Sequence, residues 1–213
     1  MRVGQHVDAC KTVLGTILHE SKHVHFSEYL NGHPVNPLQP GHLTPYDDGT
    51  RPVVPAISVR QPGTGGDSLA TFVRGSVDFV ADVYDTPSLA VPGQWAGMPV
   101  GPALVTWRLQ VPGGKAVVPE RVAVDFRRSL PPGGAFWSVY ARGTYQNMSV
   151  FGQHYSWLQP GRLLFRLNRA CFDTRSVPDG VYDLVVTATD SRGNTGSRSL
   201  RLTIHNRAGW EGS

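Results

Sequence analysis

The chain has 213 residues, a formal net charge of +4, 40% hydrophobic residues, 24 Gly and 17 Pro, which is enough for one sizeable core and favours many short strands joined by turns over long helices. Its basic residues are almost all Arg, with Lys only at Lys11, Lys22 and Lys115, and they are dispersed over strand-like segments, so nothing points to a nucleic-acid partner. Two cysteines, Cys10 and Cys171, exclude a disulfide-rich scaffold and a cysteine-based zinc knuckle, and are expected as free buried thiols or, in an exported chain, as one bridge. No apolar run reaches the roughly 20 residues of a membrane span, and "MRVGQHVDAC" lacks the apolar core of a signal peptide.

Along the chain, "VGQHVDACKTVLGTI" reads as alternating strand and turn, and "LNGHPVNPL" as a hairpin turn with a proline-bounded exit. Between them, "ILHESKHVHFSEYLNG" holds two overlapping zinc-site patterns. His19-Glu20-Ser21-Lys22-His23 matches H-E-x-x-H, which works only on a helix that brings both imidazoles to one face. The preceding "KTVLGTIL" is β-branched and Gly-interrupted, and Phe26 and Tyr29 stand where the extended pattern needs Gly and His, so this match is read as coincidence. His23-Val24-His25 suits a strand, where both imidazoles share a face backed by Val24 and Phe26.

Residues 3 to about 38 resemble the end of the lysostaphin-like (LytM-type) zinc endopeptidases that cut bacterial peptidoglycan. The resemblance rests on Val3-Gly4, Val7 and Val13-Leu14-Gly15, then His23-Val24-His25-Phe26 with Glu28, then Asn31-Gly32 and Val35-Asn36-Pro37. It implies that His25 is a zinc ligand, that His23 is a catalytic imidazole, and that the partner is peptidoglycan or another cell-envelope polymer met in a secreted or cell-envelope setting. A catalytic zinc takes about three protein ligands and an open water position. The family draws its other ligands from an upstream H-x-x-x-D motif and a further His, which the chain from Met1 does not contain; a substitute site from His23, His25 and His19 or Asp8 is a poor stand-in. The rhythm of residues 3 to 17 also occurs in lipoyl and biotinyl carrier domains, but Lys11 lacks their flanking residues.

The stretch "NPLQPGHLTPYDDGTRPVVP", with five prolines and the acidic pair Asp47-Asp48, reads as a stiff connector. A boundary near Asp47 divides the chain into 1–46, the tail of a peptidase-like domain, and 47–213. Eight strand-like runs follow at 56–61, 76–85, 103–111, 121–126, 136–141, 162–167, 181–190 and 199–206, with a proline-rich loop over 86–102 in which Trp95 and Met98 are expected to cap the core. In the last run Leu200, Leu202 and Ile204 alternate with Arg201, Thr203 and His205, the mark of a sheet with one buried and one wet face. Residues 178 to 206 resemble the final hairpin of bacterial immunoglobulin-like modules: a Pro178-Asp179-Gly180 turn, Tyr182 at a tyrosine-corner position, and the loop Ser191-Arg192-Gly193-Asn194. Asp190 and Asn194 are residues that can bind calcium but are also ordinary turn formers, and the turn reading is preferred.

The expectation is therefore an all-β chain, a small hairpin remnant of a peptidase sheet followed by an immunoglobulin-like β-sandwich. Its function is that of a peptidoglycan zinc metalloendopeptidase-like protein, incomplete and inactive by itself, or of a non-catalytic secreted or surface binding module. Whether the chain is an enzyme, and its oligomeric state, stay open at this point.

Overall fold

Strands are what this sequence builds, because β-branched residues alternate with polar ones and no stretch of helix formers is long enough to compete. The computed structural model describes residues 2–19, 24, 26–43, 47–62, 72–86, 88, 99–131, 135–144 and 162–206. In chain order they form β1 (Glu28–Leu30), β2 (His33–Val35), β3 (Val53–Arg60), β4 (Phe72–Val73), β5 (Ser76–Tyr84), β6 (Leu104–Gln110) and β7 (Ala116–Asp125). One helical turn, α1 (Phe136–Val139), precedes β8 (Leu164–Arg166), β9 (Phe172–Asp173), β10 (Gly180–Thr189) and β11 (Thr195–Ile204).

The chain is all-β. Five strands in the order β4-β11-β10-β6-β7 make one sheet, β3-β5-β8 make the second, and β9 joins β5. Only the short β4–β11 contact is parallel, as Thr203 and Ile204 pair with Phe72 and Val73. The strands divide over two packed sheets, and the bond expected of a tyrosine corner is present: the buried Tyr182 donates its hydroxyl to the Pro178 carbonyl at 2.7 Å.

Period two decides what fills the space between the sheets. Val77, Phe79, Ala81 and Val83 from β5 face Leu184, Val186 and Ala188 from β10, with Leu202 and Ile204 from β11 beside them, all buried. Phe79 is the centre of an aromatic group, its ring centroid 5.5 Å from Trp107 and 5.2 Å from Phe172. Arg121, on the edge strand β7, lays its guanidinium 5.6 Å from the Trp107 ring and so covers an indole that the edge would otherwise leave open.

Seven of the eight expected runs coincide with β3, β5, β6, β7, β8, β10 and β11. The run 136–141 does not form a strand. It makes the single turn α1, after which Tyr140 bridges Phe165 and Ala141 closes over Val80 and Leu164 on the outer face of the smaller sheet. A six-residue run with only Ser138 polar fits a helical turn as well as a strand, and here the need to cover that outer face decides between them. The Ala141 amide bonds the Leu164 carbonyl at 2.7 Å, and the Arg60 guanidinium reaches the Arg142 carbonyl at 2.7 Å.

Residues 2–19 also depart from expectation. They carry turns at 3–4 and 9–12 and no strand, and Val3, Val13, Leu14 and Leu18 stand exposed. Cys10 and Cys171 are free, as one reading had it, but both are exposed rather than buried. Trp95 and Met98 lie outside the described residues.

The Asn-Gly hairpin is present. Asn31 (φ 51°) and Gly32 (φ 78°) both take the left-handed region that a two-residue type I′ turn requires. The hairpin is fastened to the sandwich by its exit. Val35 bridges Ser129, the Asn36 amide donates to the Arg128 carbonyl (2.8 Å), and the Asn36 side chain donates to the Phe126 carbonyl (2.9 Å) while accepting from the Leu38 amide (2.9 Å).

Candidate metal centre

At the end of the sandwich where the connector arrives, three carboxylates from distant parts of the chain converge. Asp48 belongs to the connector, Asp85 follows the last residue of β5, and Asp190 follows the last residue of β10. One carboxylate oxygen from each lies within 4.8 Å of the other two. Asp85 is 3% and Asp190 5% exposed, and Asp48 is half-buried.

Local chemistry fixes each one. Asp85 is held by its backbone, which exchanges hydrogen bonds with Val100 in both directions (2.8 and 2.9 Å), and its side chain accepts from the Thr86 amide at 2.8 Å. Asp190 heads the β10–β11 turn, accepting the amides of Arg192 (2.7 Å) and Asn194 (2.9 Å) and the Asn194 side-chain amide (2.7 Å). Gly193, at φ 92°, supplies the positive dihedral that this turn needs. Asp48 accepts the Thr50 amide (3.0 Å) and the hydroxyls of Thr50 (2.6 Å) and Ser88. Asn194 ties turn to connector, its side chain also donating to the Asp48 carbonyl at 2.8 Å.

Burial lifts the Asp85 carboxyl above its ordinary 3.8, and the charges of Asp48 and Asp190 push the same way, against the Thr86 amide and the Thr50 hydroxyl that favour the anion. Three carboxylates this close offer a place for a cation, which would offset the repulsion that Asp48 and Asp190 exert on Asp85. The donor set is all hard oxygen, carboxylates with hydroxyls beside them. Such a set suits calcium or magnesium, and it lacks the nitrogen and sulfur ligands that structural and catalytic zinc sites favour.

The residues that the zinc patterns singled out are placed differently. His23 and His25 lie outside the described residues. His19 is exposed; Asp8 closes a turn, accepting the Lys11 and Thr12 amides on its carbonyl, with His6 3.4 Å from its carboxylate. Glu28, part of the peptidase-like motif, pairs with Nδ1 of His42 across the exit of the hairpin. Asp85 was missed in the sequence. Its only signal there is that two alternating runs, "SVDFVADVYD" and "VYDLVVTATD", each end in Asp, and the topology sets those two ends side by side.

No protein-family model, curated protein or solved structure matches the chain. Among the described residues, no helix is long and apolar enough to cross a membrane.

Proposed function

We propose that the chain is a non-catalytic binding module of a cell-envelope protein, an immunoglobulin-like sandwich whose connector is locked in place by a divalent cation of the calcium class on Asp48, Asp85 and Asp190. The observation that carries this reading is the convergence of carboxylates from positions 48, 85 and 190 at one end of the sandwich. When bound, the cation supplies the positive charge that offsets three clustered anions. The chain's own residues do the rest: Thr50 and Ser88 orient Asp48, and Asn194 holds the connector against the β10–β11 turn.

The test is thermal unfolding of the full chain in chelator, calcium, magnesium and zinc. A ligand bound only by the folded state at a hundredfold excess over its dissociation constant adds about 2.7 kcal/mol. Calcium is expected to raise the midpoint by several degrees, with the gain absent in Asp85→Asn. A midpoint indifferent to calcium overturns the reading.

A second reading keeps the peptidase-like segment in view, and the His23-Val24-His25 run with its flanking residues 3 to 38 supports it. It makes the chain part of a peptidoglycan metalloendopeptidase-like protein, with His25 on zinc and His23 as the catalytic imidazole. Near-stoichiometric zinc that disappears in His25→Ala while surviving Asp85→Asn supports this reading; zinc-free protein from zinc-supplemented preparations removes it.

A further inference from the structure

The clasp at Asn36 creates a cleft. The connector turn after Asn36, where the Gln39 amide bonds the Asn36 carbonyl at 3.2 Å, forms one wall, and the segment leaving β7 forms the other. The cleft measures about 670 Å³ and is lined by Gln39, Pro40, Asp125, Arg127, Arg128 and Ser129. Small-ligand sites concentrate at such junctions, and this volume lies within their usual range.

Its charge is unevenly spent. Arg127 is committed to Asp125 through two bonds, Nε to Oδ1 at 2.9 Å and Nη2 to Oδ2 at 2.6 Å, which fixes the plane of its guanidinium and neutralises it locally. The exposed Arg128 guanidinium has no hydrogen bond or ion pair among the described residues, while its backbone is pinned by the Asn36 amide and that of Ser129 by Val35. The cleft therefore carries one net positive charge on a fixed rim, flanked by a neutral amide at Gln39 and a hydroxyl at Ser129. A planar, delocalised cation of this kind selects a carboxylate or phosphate oxyanion, and the neutral neighbours suit the hydroxyl or amide groups beside it.

We infer that the cleft between the connector and the end of β7 binds a single oxyanion carried on a hydroxyl- or amide-bearing polymer, with Arg128 as its anchor and Asn36 as the residue that positions the two walls. This inference names a ligand class for the binding module proposed above and rests on that reading. It uses none of Asp48, Asp85 or Asp190, so a failed calcium test and a failed anion test are separate results.

The experiment is a titration of the full chain, followed by backbone amide shifts, with three probes: poly(glycerol phosphate) as a phosphodiester, tri-galacturonate as a carboxylate, and maltotriose as a neutral control. At least one anionic probe is expected to shift the amides of 38–39 and 125–129, and added salt is expected to weaken that binding. Which of the two binds more tightly names the source of the oxyanion. Arg128→Ala is expected to weaken binding about tenfold or more, in line with loss of a charge-assisted contact. Lys115→Ala, which removes an equal charge from the exposed β6–β7 turn, is expected to leave binding unchanged. The inference is overturned if neither anionic probe binds, if maltotriose binds equally well, or if Lys115→Ala costs as much as Arg128→Ala.

Discussion

Gly196 and Pro52 pass so closely that a Cβ placed on Gly196 would lie 1.8 Å from the Pro52 carbonyl oxygen. The contact is backbone to Cβ, so no side chain can rotate away to relieve it. It is where the chain entering β3 crosses the second residue of β11, and it limits how closely the two segments can pack at that end. Gly196→Ala is expected to lower stability by about 1–3 kcal/mol or more, as overpacking does. Denaturant unfolding reads this directly, and a midpoint equal to that of the wild type would mean that the two segments separate freely.

The tyrosine corner can be tested with one atom. Tyr182→Phe keeps the ring in the core and removes only the hydroxyl that bonds the Pro178 carbonyl. A loss of about 1 kcal/mol is expected, carried mainly by the turn that leads into β10. An unchanged urea midpoint would show that water replaces the bond without cost.

Asn168 is a polar group inside the core, 8% exposed. Its side chain accepts the Phe79 amide at 2.7 Å and donates to the Ala170 carbonyl at 2.8 Å and the Val77 carbonyl at 3.2 Å, pinning the end of β8 to β5. Asn168→Ala strands those backbone groups in an apolar surrounding, and a cost of at least about 2 kcal/mol is expected. A loss within a few tenths of the wild type in chemical denaturation would refute the role.

Asp85 predicts a pH dependence whose sign is fixed. Burial and the two neighbouring carboxylates hold its folded-state pKa above the ordinary 3.8, so the folded chain binds this proton more tightly than the unfolded chain. Its contribution to stability is therefore complete below 3.8 and is lost as pH rises through the folded-state value. In chelator, the wild type is expected to lose stability over that window relative to Asp85→Asn, which keeps the shape without the charge. At neutral pH the variant is expected to unfold later in chelator and earlier in calcium; a variant that is less stable in both conditions would contradict the electrostatic account.

Much of the sandwich was legible because its strands report themselves locally. Leu200, Leu202 and Ile204 alternate with polar residues, and Asn31-Gly32 names its own turn, so neither needed knowledge of distant neighbours. The strand expected over 136–141 failed for the opposite reason. Whether that run turns or extends depends on the outer face formed by Val80 and Leu164, which its own residues do not encode. The acidic centre was half visible. Asp48 and Asp190 stood in a connector and a turn where either is ordinary, and only the closing of the sheets brings Asp85 between them. His23 and His25 drew attention because their spacing is a motif, whereas the carboxylates have no spacing at all.

The two ends of the sandwich have a mechanical consequence. Asp48 meets Asn194 at one end of β10, and Asn206 meets Asp179 at the other, about 33 Å away for a ten-residue strand. A pull between the connector and the chain leaving β11 therefore runs along the strands. It loads the ladder between β10 and β11 in shear, where all of its bonds resist together, rather than peeling them one at a time. Upstream of that load path, the hairpin hangs from Val35 and Asn36. A pull applied upstream of the hairpin adds this clasp of a few bonds to the path, and the chain is then expected to lengthen at its junction before the sandwich gives way.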